Sequence, residues 1–138
     1  MQPNKIITVK VTDGSFLRTW MELLAPWHKL SSRERDVAAR ILAQYFYLKS
    51  RIDDPELVRD MLLSQTSKQD IRESLGMSHQ HFHMVLRALR ESGFLQNDEI
   101  NPRYIPYMTD EPRFMLAILF DWSTPGNPIK ADAEKKQD

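Results

Sequence analysis

The chain has 138 residues, of which 41% are hydrophobic and 28% are charged. This is the composition of an ordinary soluble globular protein, and the longest apolar run, Phe114 to Phe120, is far shorter than the roughly 20 residues that span a bilayer. Lysine plus arginine equals aspartate plus glutamate at 19 each, which excludes an overall electrostatic attraction to nucleic acid or anionic lipid. With no cysteine and no secretion signal, we expect a cytoplasmic protein that does not bind membranes.

The first half of the chain predicts one strand and three helices. Lys5–Val11, KIITVKV, is rich in β-branched residues and ends at a turn, which predicts a strand. A helix then follows from apolar residues at helical spacing, and Pro26 ends it. These apolar residues are Phe16, Leu17, Trp20, Leu23 and Leu24.

The next helix has the clearest start in the chain. Ser31 and Glu34 have the spacing of a capping box, in which each side chain accepts a hydrogen bond from the other residue's backbone. Its predicted apolar stripe comprises Val37, Ala38, Ile41, Leu42, Tyr45 and Leu48. Asp54-Pro55 then predicts a short helix. The side chains expected to face inward are Leu57, Val58, Met61 and Leu62.

The stretch TSKQDIRESLGMSHQHFHMVLRALRESGFL, Thr66 to Leu95, predicts two helices joined by a tight turn. Thr66 or Ser67 is expected to cap the first helix, Gly76 to end it in a left-handed conformation, and Ser78 to cap the second. Helix, short turn and helix is the helix-turn-helix arrangement, in which the outer face of the second helix enters a major groove of DNA.

The second helix has an apolar side and a polar side. The apolar side comprises Phe82, Val85, Leu86 and Leu89, and the opposite side comprises Gln80, His83, Met84, Arg87 and Glu91. Glutamine can pair bidentately with adenine and arginine with guanine, and the helix start near Ser78 and His79 favours a phosphate oxygen. We therefore expect Gln80, His83 and Arg87 to read bases. Lys68, Arg90 and Arg103 are expected to contact phosphates.

The segment after Gly93 predicts a hairpin and a final strand. Asn97-Asp98 lies between two β-leaning segments, which indicates a short hairpin tip that would form a wing. The stretch RFMLAILFDW, Arg113 to Trp122, is mostly apolar and predicts a largely buried last strand. Beyond Trp122 the tail has turn formers and charge but no hydrophobic period, so residues 123–138 are expected to be disordered.

Alternatives to DNA binding also follow from the residues. The polar side of the second helix can be a solvated surface that never contacts DNA. Positive and negative residues are equally frequent from Thr66 to Ile105, so this segment alone predicts weak, salt-sensitive binding. His79 and His83 lie one helical turn apart, as in helical zinc sites, but His81 points elsewhere and further ligands are not evident, so we expect no metal or other cofactor. No phosphate-binding loop, dinucleotide fingerprint or nucleophile motif is present, so an enzyme is not expected.

From Leu30 to Trp122 the order of motifs resembles winged-helix DNA-binding proteins of the kind found among plasmid replication initiators and in tailed bacteriophages. The motifs that carry the resemblance are LSSRERDVAARIL, then SKQDIRESLGMSHQHFHMVLRALRESGFL, then INPRYIP and FMLAILFDW. In such initiators a short hairpin with an Ile-Asn-Pro segment follows the second helix, matched here by Ile100, Asn101 and Pro102. The resemblance implies a winged-helix fold and DNA binding through His79, Gln80, His83 and Arg87.

We therefore predict an α+β, mainly α fold: one winged helix-turn-helix domain over residues 1–122, with an N-terminal strand and a C-terminal strand that joins the wing sheet. The helix-turn-helix is expected at about residues 66–92 and the wing at about 94–106. The predicted function is non-catalytic, sequence-specific binding of double-stranded DNA in transcription or replication control of a phage, plasmid or bacterium.

The alternative is a phage or mobile-element assembly or packaging protein that uses this fold to dock on a phage or host protein. If the chain is phage-encoded, its expected location is the cytoplasm of the bacterial host. Trp20 and Trp27 near the N-terminal strand also predict a homodimer formed through that strand and the helix after it.

Overall fold

A computed structural model of the protein describes residues 5–123, so the predicted tail lies outside the described residues except for Ser123. The chain divides into two compact units. The larger, Val9–Tyr107, contains all the helices and strands assigned in the described chain. The other includes residues 5–8 and 108–123 of the described chain.

The described chain is mainly helical, with a two-stranded antiparallel sheet, which confirms the α+β, mainly α prediction. The α-helices are α1 (Phe16–Leu23), α2 (Ala25–His28), α3 (Ser32–Arg51), α4 (Pro55–Leu62), α5 (Gln65–Ser74) and α6 (His79–Glu91). The strands are β1 (Leu95–Gln96) and β2 (Glu99–Ile100), and a 3-10 helix follows at Pro102–Tyr104. None of the helices assigned within residues 5–123 combines the length and the apolar character that crossing a membrane requires.

Helix α3 is at the centre of the larger unit and contacts α1, α4, α5 and α6. The predicted capping box is confirmed: the Ser31 hydroxyl accepts from the Glu34 N–H at 3.3 Å, and the Glu34 carboxylate accepts from the Ser31 N–H at 2.9 Å. The predicted apolar stripe faces the core, with five residues buried and Tyr45 partly buried. The buried residues are Val37, Ala38, Ile41, Leu42 and Leu48.

Helices α1 and α2 pack against this core through buried polar contacts as well as apolar ones. The indole Nε1 of Trp20 donates to the carbonyl of Tyr104 at 2.8 Å. His28 is 3% exposed, with Nε2 2.8 Å from the Met21 carbonyl, and Nδ1 accepting from the Leu30 N–H at 2.9 Å. Both ring nitrogens thus have partners inside the protein, and His28 is a packed structural residue.

Two of the four α4 residues that were expected to face inward are buried. Asp54 caps the helix by accepting from the Glu56 N–H at 3.0 Å, and Val58 and Leu62 are buried. Leu57 and Met61, however, are 45% and 38% exposed. The helix makes its main contact with α3, and residues next to each other in a helix diverge by about 100°, so only one (i, i+4) pair faces that contact.

The predicted hairpin forms, and its tip has the expected residues. Leu95 pairs with Ile100 and Gln96 with Glu99, in antiparallel register. Asn97 and Asp98 have φ of 54° and 61°, the left-handed conformation that a two-residue turn between twisted strands requires.

The Ile-Asn-Pro segment has a structural role at the base of this hairpin. The Asn101 backbone N–H donates to the carbonyl of Phe94 at 2.8 Å, and its side-chain amide donates to the carbonyl of Gly93 at 3.0 Å. The side-chain oxygen of Asn101 accepts from the Arg103 N–H at 3.2 Å, which starts the 3-10 helix.

The two terminal strands predicted from the sequence are wrong. Neither Lys5–Val11 nor Arg113–Trp122 is a strand, and the sheet in the described chain contains only β1 and β2. The predicted burial of the last strand is also wrong, since Leu119 is 63% exposed and Phe120 is 77% exposed. A β-leaning sequence forms a strand only when its backbone pairs with another strand, and β1 and β2 pair only with each other.

Candidate functional site

The turn between α5 and α6 is closed by backbone hydrogen bonds that only a left-handed residue allows. The Gly76 N–H donates to the carbonyl of Glu73 and the Met77 N–H to that of Arg72, both at 3.1 Å. This pair of bonds is the Schellman arrangement, and Gly76 has the expected φ of +63°. The Arg72 guanidinium also donates to the Met77 carbonyl at 3.0 Å, so the turn is fixed by both backbone and side chain.

The start of α5 differs from the prediction. Ser64 is the cap, and its hydroxyl accepts from the Ser67 N–H at 3.3 Å, so a cap at Thr66 or Ser67 is wrong. Ser67 is buried in the first turn, where its hydroxyl donates to the Met61 carbonyl at 2.7 Å and accepts from the Gln44 amide at 3.2 Å. Its side chain therefore joins α5 to α3 and α4.

Helix α6 buries one side and exposes the other, as the sequence predicts. Ser78 caps it by accepting from the His81 N–H at 3.1 Å, so this hydroxyl has an internal partner. The buried residues are Phe82, Val85, Leu86 and Leu89. The exposed residues of the candidate site on this helix are His79, Gln80, His83, Arg87 and Arg90. Met84, between them, is 61% exposed.

A first cavity, of about 210 Å³, lies between α5 and the start of α6. Lys68 and Arg72 line it from α5, and His79 and His83 line it from α6. The two imidazole rings are stacked, with centroids 6.0 Å apart and planes inclined by 23°. The structure thus brings three of the predicted residues, Lys68, His79 and His83, to one concave surface.

A second cavity, of about 320 Å³, lies at the other end of α6. Arg59 of α4, Lys68 of α5 and Arg90 of α6 line it together with Asn97 and Asp98 of the hairpin tip. Lys68 lines both cavities, so it connects the histidine end of α6 with the Arg90 end.

The remaining predicted residues do not line these cavities. Arg87 and Gln80 are on the exposed side of α6, and Arg103 is exposed on the 3-10 helix, where its guanidinium lies 5.7 Å from the centre of the Tyr104 ring.

Two cationic residues of this surface were not predicted. Arg72 contributes to the turn and the first cavity, and Arg59 contributes to the second. Arg59 lies outside the helix-turn-helix segment, and nothing in the sequence around it signals that α4 brings it beside Lys68 and Arg90.

The imidazoles of His79 and His83 lack further metal ligands. Among residues 5–123 there is no group of three or more histidine, aspartate or glutamate side chains placed to hold a metal ion. Both imidazoles lie on the exposed side of α6.

No protein-family model, curated protein or solved structure matches the chain. The function is therefore inferred from the geometry and chemistry of the α5–α6 surface.

Proposed function

We propose that the protein is a non-catalytic, sequence-specific double-stranded DNA-binding protein that acts in transcription or replication control. In this proposal the fold is a winged helix: α5, the Gly76 turn and α6 are the helix-turn-helix, and the β1–β2 hairpin is the wing. The observation that carries the proposal is the exposed side of α6, where Gln80, His83 and Arg87 are accessible while the apolar side is buried.

The side chains of this surface have the chemistry that base reading requires. Arginine donates two parallel hydrogen bonds to guanine O6 and N7, and glutamine exchanges two with adenine. Arg87 and Gln80 would make these contacts in a major groove. His83 would contact a neighbouring base, while His79 and Ser78 would lie nearest a phosphate at the start of the helix.

Phosphate contacts would position α6 in the groove. Lys68 of α5 lines both cavities, Arg90 near the end of α6 lines the second, and Arg103 follows the wing. Such contacts supply affinity without sequence information, whereas the exposed side chains of α6 supply the preference.

The experiment that tests this function compares the binding of one preferred and one scrambled duplex. The preferred duplex is selected from a random pool, and affinity is measured by fluorescence anisotropy. Arg87→Ala should reduce the discrimination by about 1–3 kcal/mol, or roughly five- to 150-fold, because the bidentate contact is lost.

Lys49→Ala is the matched control, because this exposed cation is near the end of α3, outside the α5–α6 surface. It should leave the discrimination unchanged. A wild-type protein that binds both duplexes equally, or an Arg87→Ala variant with unaltered discrimination, would contradict sequence-specific binding through α6.

One observation favours a second candidate function, docking on a phage or host protein during assembly or packaging. Met84 is 61% exposed in the middle of the presented side of α6, and a flexible apolar side chain is typical of protein-docking surfaces. Met84→Lys separates the two candidates. If α6 faces DNA, the added positive charge should strengthen duplex binding. If the protein docks on another protein instead, neither the variant nor the wild type should bind duplex at low salt.

A further inference from the structure

The second cavity places three cations of different helices next to two acids of the hairpin. Arg59, Lys68 and Arg90 line the cavity with Asp98 of the hairpin and Asp60 of α4. The guanidinium Nη2 of Arg90 is 3.6 Å from Oδ1 of Asp98, and Nη1 of Arg59 is 3.5 Å from Oε2 of Glu99, which neighbours Asp98 at the tip. Both arginines are therefore occupied by carboxylates of the hairpin.

These ion pairs are open to solvent. The side chains of Arg90 and Asp98 are 47% and 70% exposed, and those of Arg59 and Glu99 are 44% and 51% exposed. Exposed pairs of this kind are weak, because water and salt screen them and two long side chains lose freedom. A competing anion can replace the carboxylates without disturbing the buried residues of the hairpin.

The turn fixes the place of the two acids. Asn97 and Asp98 both have positive φ, and Gln96 is paired with Glu99 across the hairpin. The backbone thus holds Asp98 and Glu99 at the tip, facing cations from α4 and α6.

We propose that the second cavity binds a nucleic-acid backbone phosphate through Arg59, Lys68 and Arg90, and that Asp98 and Glu99 occupy its arginines in the free protein as an internal competitor. This inference rests on the proposed function, and it adds Arg59 as a binding residue and the hairpin tip as a regulator of affinity. The competing carboxylates keep non-specific affinity low, since phosphate contacts supply most of it.

The test removes the acids while preserving their shape. Asp98→Asn with Glu99→Gln keeps the hairpin, because asparagine tolerates the left-handed conformation at position 98, and melting curves verify folding. The combined variant should bind a mixed-sequence duplex about three- to tenfold more tightly than wild type, as expected from releasing two weak ion pairs.

Two controls distinguish the proposed competition from a general effect of net charge. Asp110→Asn with Glu111→Gln makes the same change of net charge at exposed residues that do not line the cavity, and it should give a smaller gain. The acid variant is also combined with Arg59→Gln and Arg90→Gln. Its gain should disappear in that background, because the cations on which the acids act are absent.

The outcomes distinguish this inference from the proposed function. The proposed competition by Asp98 and Glu99 is refuted if affinity rises equally in the hairpin and control variants, or if the rise persists without both arginines. Neither result contradicts DNA binding itself. The competition is also refuted if the wild type binds duplex and the acid variant binds it no more tightly. If neither wild type nor the acid variant binds duplex at low salt, the proposed function and the inference both fail.

Discussion

Gly76 sets the direction in which α6 leaves α5. Its φ of +63° lies in the left-handed region, and a Cβ built at this residue has no atom within 4 Å. The cost of a side chain at Gly76 is therefore backbone strain and not a steric clash.

Gly76→Ala should lower the free energy of unfolding by about 1–2 kcal/mol, the usual cost of the left-handed conformation for a residue with a side chain. Thermal unfolding followed by circular dichroism measures the change. Gly14→Ala is the matched control, because a Cβ at Gly14 also has open space but its φ is not positive. Equal effects of the two substitutions would show that the Gly76 turn is not strained by a side chain.

Single residues also show why part of the site was not predictable. Local sequence is enough to predict three features of the site: the cap at Ser78, the turn at Gly76 and the apolar side of α6. The position of Arg59 beside Arg90 depends instead on the packing of α4 and α6 around α3.

At the scale of elements, α1 and α3 are joined by charged side chains. Arg18 Nε is 2.6 Å from Asp36 Oδ1, and Arg18 also pairs with Glu22 on its own helix. Burial alone would raise the pKa of Asp36, but hydrogen bonds from Arg18 and Arg33 outweigh it, so the pKa lies below its ordinary value. The hydrogen bond from Arg18 likewise lowers the pKa of Glu22.

This network predicts an acid-dependent part of the stability. An aspartate whose pKa is lower in the folded state stabilises the protein above its unfolded pKa, and this stabilisation is lost as the pH falls through the folded pKa. Asp36→Asn should therefore lower the melting temperature at about pH 7 and lower it much less near pH 2. A melting-temperature difference that does not change between these conditions would contradict the role of the Asp36 carboxylate.

Elements with local start signals were predicted well, and those that need distant partners were not. The capping box of α3 and the Asn97-Asp98 tip are both formed. The cap of α5 was misplaced because several hydroxyl residues are close together, and only the buried contacts of Ser67 with α3 and α4 distinguish them. The terminal strands failed because strand formation depends on a pairing partner that local composition does not specify.

Only one of the two tryptophans that predict a homodimer is accessible on the surface of the whole molecule. Trp20 bonds to Tyr104 within the chain, so it is not a free interface residue, whereas Trp27 is 45% exposed. Apolar residues of the two terminal segments, Lys5–Val11 and Arg113–Trp122, are also exposed. They are Ile6, Ile7, Val9 and Val11, and Met115, Leu116, Ile118, Leu119 and Phe120. Exposed apolar residues in this number favour association.

The homodimer stays a prediction, and light scattering tests it. The full chain should show the mass of two copies at high concentration. Ile6→Asp with Ile7→Asp should shift it towards one copy, because these exposed residues lie in the N-terminal segment predicted to form the contact, and charge there opposes association. Arg113→Glu provides a control, because it makes the same change of net charge at an exposed polar position of the same unit. A wild-type protein that stays monomeric at the highest soluble concentration would refute the homodimer.

The balanced charge of the chain makes salt dependence the most informative property of the whole molecule. With no net charge, affinity for DNA must come from a local arrangement of cations, and the phosphate contacts of the proposed function, counted without Arg59, are Lys68, Arg90 and Arg103. Three such contacts correspond to a loss of affinity of about 40-fold between roughly 50 and 200 mM salt.

The claim that the α5–α6 surface binds double-stranded DNA is decided by titrating a pool of random duplexes with wild-type protein over that salt range at about pH 6. We predict measurable binding at low salt and a loss of about 40-fold at the higher salt. Undetectable binding even at the lowest salt, or affinity that does not change with salt, would contradict the claim.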